Sequence, residues 1–192
     1  MVADIYKECI VSYIDLIDLK KTINNPNHAV EIMGQVHQTV YSQISNDMPL
    51  HSYAYSWNDS VLLLAYINNR SSDFNGIIKE VVDLKRKIDQ VRSCYTICMK
   101  GLVFPSPFQY AGAVYDSPQP EQPRHVFIKA SSIAFANCIE IEKCLGKFRK
   151  AWYIDESIAK ELNSSNPCLH KKIKLLPNNE EKIIYMFDVD PL

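Results

Sequence analysis

The sequence predicts an α+β fold, in which an antiparallel sheet carries helices on one of its faces. Two observations support this class. Short apolar runs rich in β-branched and aromatic residues alternate with longer segments whose apolar residues recur at helical spacing. The chain has 192 residues, of which 47% are hydrophobic and 22% charged, so it can bury a full core without disulfide bonds. We therefore expect one domain spanning residues 1–192.

The first two elements are a strand and a helix. Cys9 to Asp18 is an apolar run with many β-branched and aromatic residues, which is typical of a central strand. Asn24-Asn25-Pro26-Asn27 then interrupts the pattern and offers a helix start. From Ala29 to Ile44 the apolar residues return every three or four positions, which predicts an amphipathic helix.

A hairpin, a second helix and a fourth strand follow. His51 to Trp57 and Ser60 to Asn68 are strand-like, and Asn58-Asp59 between them suits a tight turn because both residues tolerate positive φ. Ser72 to Val91 has helical spacing, and Cys94 to Phe104 is again strand-like. The order strand, helix, strand, strand, helix, strand is the ferredoxin-like, or palm-type, arrangement.

The second half of the chain adds a long loop, a helix, a strand, a short helix and a terminal β-hairpin. The loop holds five of the ten prolines, and a loop of that length in a compact domain is usually functional or mobile. The predicted segments are, in order, the Pro-rich loop 105–124, helix 131–145, strand 151–154, helix 156–162 and hairpin strands 173–176 and 182–189.

Two aspartates stand out within these elements. Asp15 lies inside the apolar first strand and Asp59 lies in the hairpin turn. A buried ionised carboxylate is costly unless it has a partner, and two such groups on neighbouring strands form a hard-oxygen site suited to Mg²⁺ or Mn²⁺. The alternative is that Asp15 accepts backbone hydrogen bonds at a strand end and that Asp59 is only a turn residue.

The bulk properties argue against several classes of partner. The formal net charge of −1 gives no electrostatic reason to expect DNA or RNA as a ligand. No apolar run has the length of a membrane span, and no export signal is evident. The six cysteines show no zinc-binding spacing and are expected to be reduced, so we expect a cytoplasmic protein.

The segment Tyr13 to Lys20, Tyr-Ile-Asp-Leu-Ile-Asp-Leu-Lys, resembles the first-strand motif Phe-x-Asp-Ile-x-Gly-Phe of class III nucleotidyl cyclase catalytic domains. Asp15 falls on the metal-binding aspartate of that motif, and Asp18 replaces its glycine. Asn58-Asp59-Ser60 is similar to the family's Gly-Asp hairpin. Ile97 to Gly101 falls on the family's Gly-Ile-His-x-Gly strand, of which only Gly101 is retained.

Two further segments are similar to divergent bacterial members of the same family, a group that includes the pyrimidine cyclases of antiphage defence. Ala136-Asn137-Cys138-Ile139-Glu140 resembles the Ala-Tyr-x-Leu-Glu motif of their third helix. Lys182 to Val189 looks like the closing strand of cyclase domains.

This resemblance implies an enzyme that forms a 3′,5′-cyclic nucleotide from a nucleoside triphosphate. Asp15 and Asp59 would be catalytic metal ligands for Mg²⁺ or Mn²⁺, with the backbone at Leu16 beside them. Family members act as head-to-tail dimers, so the resemblance implies a homodimer, or a heterodimer with another chain. The remaining positions assigned to nucleotide binding are Ile17, Asp18, Leu19, Trp57, Asn58, Lys100 and Cys138.

The chain departs from the family at the third helix. Class III cyclases carry an Asn and an Arg four residues apart there, and these positions are occupied by Ala134 and Cys138. A second hypothesis is therefore a catalytically silent cyclase-fold protein that binds a nucleotide or a partner chain. A polymerase-palm relative is a third hypothesis, since that fold also places two acidic groups on one sheet.

Overall fold

The computed structural model describes residues 7–19, 24–46, 52–57, 59–67, 71–103, 133–145, 151–165, 171–175 and 182–187. The strands are β1 (Lys7–Leu16), β2 (Ser52–Trp57), β3 (Ser60–Tyr66), β4 (Cys94–Val103), β5 (Trp152–Asp155), β6 (Lys171–Leu175) and β7 (Lys182–Phe187). The helices are α1 (Pro26–Asn46), α2 (Ser71–Val91), α3 (Ile133–Leu145) and α4 (Glu156–Ser165). The predicted Pro-rich loop 105–124 lies outside the described residues.

All seven strands form one sheet in the order β2-β3-β1-β4-β5-β7-β6. The first four strands have the antiparallel ferredoxin-like arrangement, with β1 between β3 and β4. The pairing of β4 with β5 is parallel, and β6 and β7 form the C-terminal hairpin. The predicted α+β class and terminal hairpin are thus confirmed, in a sheet that is mixed where an antiparallel one was expected.

The strand β1 is buried on both faces of the sheet. Ile10 and Ile14 pack into a core formed with α1, α2 and α4, whereas Val11 and Tyr13 pack into a second core formed with α3. The expectation of helices on one face only therefore needs correction, because α3 covers the opposite face. The apolar residues of β1 occupy both odd and even positions, which is the physical sign of this, since a strand with one wet face alternates apolar and polar residues.

The helix α1 begins where the asparagine-proline segment predicted a start. The Asn25 side-chain oxygen accepts the backbone N–H of His28 at 3.4 Å, as an N-cap residue does. Pro26 occupies the first helical position, where its missing N–H is not needed. No helix in the described parts of the chain is long and apolar enough to cross a bilayer.

Candidate functional site

Asp15 lies one residue before the end of β1, on the face covered by α3, and the residue is only 7% exposed. Its Oδ1 accepts a hydrogen bond from the Ser60 hydroxyl at 2.7 Å, and its Oδ2 accepts one from the Tyr95 hydroxyl at 2.9 Å. The Tyr13 hydroxyl lies 3.0 Å from Ser60 Oγ. Since Ser60 gives its proton to Asp15, Tyr13 is the donor in that pair. We call these four residues the Asp15 cluster.

The strand register brings the cluster together. Asp15 is directly opposite Ser60 of β3 on one side and Tyr95 of β4 on the other. Tyr13 is two residues earlier on β1 and so shares the face of Asp15. Strand pairing therefore brings two hydroxyl groups to the buried carboxylate, one from each neighbouring strand, and β1 itself adds the Tyr13 hydroxyl that binds Ser60.

Burial raises the pKa of Asp15 to about 6, which is well above its ordinary value. Desolvation is the largest cause, and the negative charges of Asp59 and Glu142 raise the pKa further, while the two hydroxyl donors oppose the shift. Burial also raises the pKa of Tyr13 and of Tyr95, and the nearby acids add to it. Both tyrosines therefore remain protonated donors at neutral pH.

Asp59 lies beside the end of β1, in the hairpin turn between β2 and β3. Its backbone oxygen accepts the N–H of Leu16 at 3.0 Å, and its side chain is half-buried. Its charge is close enough to raise the pKa of Asp15. Asn58 and the Trp57 side chain, both assigned to nucleotide binding by the resemblance, lie outside the described residues.

The turn after β1 holds the next three assigned residues. β1 ends at Leu16, so Asp18 lies in the turn and not on the strand, and its φ is 58°. This is the left-handed region, where the family motif has glycine and which aspartate tolerates better than most residues. Ile17 is half-buried on the α3 side, and Leu19 is buried in the core on the α1 and α2 side.

Lys100 does not lie near the Asp15 cluster. It is five residues beyond Tyr95 on β4, a distance of about 17 Å along a strand. Its ammonium pairs with Glu8 at 3.3 Å and with Glu161 of α4 at 3.1 Å, which places it on the opposite face of the sheet. Lys100 thus links the sheet to α4, and its assignment to nucleotide binding stays a prediction.

Cys138 faces the sheet from α3 and is fully buried. Its Sγ lies 3.8 Å from the Ile97 backbone oxygen, and burial raises the pKa of its thiol well above the ordinary value. Ala134, one turn earlier, is also fully buried and packs on Gly101. Neither residue supplies the amide or the cation found at these positions in the family motif.

Glu142 on α3 acts on Asp15 through its charge, and it was not identified from the sequence. It lies one turn after Cys138, is half-buried, and its charge raises the pKa of Asp15, Tyr13 and Tyr95. Glu142 lies four residues after Cys138, a spacing that places two side chains on one face of a helix, and this spacing could have identified it. The roles of Ser60, Tyr13 and Tyr95, by contrast, depend on which strands pair, and sequence pattern alone does not fix that register.

The donor set around Asp15 suits a divalent cation whose coordination is completed by a substrate. Within the described ranges no three His, Cys, Asp or Glu side chains are grouped to hold a metal by themselves. Mg²⁺ in nucleotide sites is commonly held by one or two carboxylates together with phosphate oxygens. A carboxylate accepting two hydroxyl bonds keeps further lone pairs free, and the mutual repulsion of Asp15 and Asp59 is what a cation would relieve.

Comparison with known proteins gave matches at the level of structure alone. No protein-family model matches the chain, and no curated protein matches it. Among solved structures it is similar to the guanylyl cyclase Cya2, with a TM-score of 0.57 and 9% identity over 94% of this chain and 91% of the other. It is also similar to the adenylyl cyclase CyaB from P. aeruginosa, with a TM-score of 0.58 and 7% identity over 94% and 93% of the two chains.

A third similar structure is the catalytic core of a rhodopsin-guanylyl cyclase with converted specificity, in complex with ATPalphaS. Its TM-score is 0.58, with 8% identity over 97% of this chain and 99% of the other. At such low identity these matches concern the fold. The chain has the fold of nucleotide cyclase catalytic domains, over nearly the full length of those domains.

Proposed function

We propose that this protein is a metal-dependent nucleotide cyclase that converts a nucleoside triphosphate into a 3′,5′-cyclic nucleotide, with Asp15 and Asp59 as the ligands of Mg²⁺ or Mn²⁺. One observation carries the proposal. In a chain with the cyclase fold, the buried carboxylate of Asp15 has a pKa raised to about 6 and lies beside the hairpin turn that contains Asp59. A protein freed from metal binding would have no physical reason to keep Asp15 as a buried charge.

In the proposed reaction the ribose 3′-hydroxyl gives its proton to water and its oxygen attacks the α-phosphorus. The bond from that phosphorus to the bridging oxygen breaks, and pyrophosphate leaves with the electron pair. A divalent cation, when bound, would lower the pKa of the 3′-hydroxyl and neutralise charge on the triphosphate. Ser60 and Tyr95 hold the Asp15 carboxylate in one orientation through both of its oxygens. Such outer-shell hydrogen bonds fix a ligand before the cation arrives.

The catalytically silent alternative is favoured by a different observation. Ala134 and Cys138 are fully buried against the sheet, so neither can stabilise the charge that develops on the α-phosphate. An active enzyme would need that stabilisation from another group, for example one given by a second chain in a homodimer or heterodimer. We propose the homodimer as the working assembly.

The proposal is tested by incubating the protein with each of ATP, GTP, CTP and UTP, with Mn²⁺ and separately with Mg²⁺. The expected result is release of pyrophosphate together with a cyclic product identified by mass spectrometry. Asp15→Asn and Asp59→Asn should each lower the rate by more than about 100-fold, a loss larger than an outer-shell substitution typically causes.

Asp83→Asn is the matched control, because Asp83 lies on α2 in an exposed ion pair with Arg86. It should leave the rate unchanged. Nucleotide binding without any product would select the silent alternative, and full activity in Asp15→Asn would contradict the proposed metal site. Activity that appears only with a second protein would indicate a shared site in a heteromer.

A further inference from the structure

The turn that follows Asp15 is fastened to the residues that follow α2. The N–H of Ile17 donates to the Ser93 carbonyl at 2.8 Å. The Arg92 guanidinium donates from Nε to the Ile17 carbonyl at 3.2 Å and from Nη2 to the Asp18 carbonyl at 3.4 Å. One side chain therefore binds two consecutive carbonyl groups of the turn.

This turn needs such contacts because of its conformation. Asp18 has a φ of 58°, which residues other than glycine adopt rarely. A turn with a glycine at this position would adopt the same φ without strain. Here the residue is aspartate, and the fork of Arg92 holds the carbonyl on each side of the strained φ angle.

The planar peptide unit determines what Arg92 does to the other side of the turn. In a trans peptide the carbonyl and the following N–H point in opposite directions. Because the carbonyls of Ile17 and Asp18 are directed at Arg92, the N–H groups of Asp18 and Leu19 are directed away from it. Successive N–H groups around a left-handed residue form the concave arrangement that binds anions.

We infer that Arg92 is a positioning residue that orients the N–H groups of Asp18 and Leu19 toward the triphosphate of the substrate. The inference rests on the proposed function, since the turn begins two residues after the proposed metal ligand Asp15. The adjacent Nε–H and Nη2–H form a rigid planar fork, which matches two consecutive carbonyls. A lysine ammonium keeps the charge and lacks this fork, so it cannot hold both carbonyls in the same way.

The kinetic test compares Arg92→Gln and Arg92→Lys with the wild type, using the metal–nucleotide complex that gives turnover. The KM for the nucleoside triphosphate should rise about tenfold in both variants, the loss expected for a single hydrogen bond to a charged group. The kcat should change far less, because the turn binds the triphosphate in the ground state as well. Arg86→Gln, on the exposed face of α2, is the control and should leave KM unchanged.

A second measurement does not depend on nucleotide chemistry. Amide hydrogen exchange should be about tenfold faster at residues 17–19 in Arg92→Gln, and unchanged there in Arg86→Gln. An unchanged KM in Arg92→Gln with an active wild type, or full rescue by Arg92→Lys, overturns the inference. A wild type that neither binds nor converts any triphosphate overturns the proposed function instead. In that case, unchanged amide hydrogen exchange at residues 17–19 in Arg92→Gln would also show that Arg92 does not stabilise the turn.

Discussion

At the scale of single residues, Asp15 shows how a polar group is kept inside an apolar sheet. Both of its oxygens accept hydroxyl hydrogen bonds, yet these donors do not offset the loss of water, because its pKa remains raised to about 6. Neighbouring acids increase the cost of the charge. Asp15 therefore destabilises the folded protein at neutral pH in the absence of a cation, as functional residues often do.

The stability cost of Asp15 should depend on pH. The pKa is about 6 in the folded protein and near the ordinary value of 3.8 when unfolded, so the folded state binds the proton more tightly. The stabilisation of the folded state by this bound proton is therefore fully present below about pH 4 and is lost as pH rises through about 6. Between those limits the wild type should lose up to about 3 kcal/mol of unfolding free energy relative to Asp15→Asn.

Urea unfolding of both proteins from pH 4 to pH 8, without divalent cations, measures this difference. Contributions from groups distant from Asp15 are common to both proteins and cancel in the difference. Addition of Mn²⁺ at pH 7.5 should then stabilise the wild type more than the variant. A stability difference that does not change with pH would contradict the raised pKa.

At the scale of elements, the placement of α3 depends on the small residue Gly101 in β4. A Cβ atom added to Gly101 would lie 2.9 Å from the Ala134 Cβ, closer than such atoms approach one another. The retained glycine of the family motif thus has a packing reason here, because it lets the first turn of α3 lie directly on the sheet.

Gly101→Ala should lower the unfolding free energy by about 1–3 kcal/mol, because the added methyl group pushes α3 away from the sheet. Gly34→Ala is the matched control. Gly34 is exposed on α1, and among the described residues nothing beyond its own stretch of helix lies within 4 Å of a Cβ built there. Alanine at this position should therefore stabilise the protein by about 0.5–1 kcal/mol. Thermal unfolding followed by circular dichroism measures both, and a Gly101→Ala protein as stable as the wild type would contradict the packing argument.

At the scale of the whole molecule, two cores share a single sheet. Alternate residues of β1 and β4 enter opposite cores, so each of these strands is buried on both sides. If either core loses its packing, one face of β1 and β4 becomes exposed, and the other core also packs on these two strands. We therefore expect the described parts of the molecule to unfold as one cooperative unit.

Two truncations test this cooperativity, one in each core. Ile78 on α2 and Ile141 on α3 are both fully buried, on opposite faces of the sheet. Ile78→Ala and Ile141→Ala should each lower the stability of the same single transition by about 2–5 kcal/mol. Tryptophan fluorescence and far-ultraviolet circular dichroism should give coincident urea curves, whereas a separate early transition in Ile141→Ala would show that α3 unfolds independently.

The element order was readable from the sequence because it depends on local patterns. Apolar periodicity located the helix now seen as α2 to within one residue at its start, and the Asn-Pro segment marked the start of α1. The same patterns extended the first strand two residues too far, to Asp18, since they do not show where a hydrogen-bonded ladder stops. The parallel pairing of β4 with β5 and the second face covered by α3 depend on contacts between distant segments.

By itself the sequence determined that Asp15 would be a charge inside a strand and that Asp59 would lie in a turn, because residue type and local periodicity suffice for both. Only the tertiary structure decided which side chains surround Asp15. The hydroxyls of Ser60 and Tyr95 reach it through strand register, and Glu142 approaches from a helix more than a hundred residues away in the chain. The physical reason is that register and helix placement follow from the packing of the whole core, which no short stretch of sequence contains.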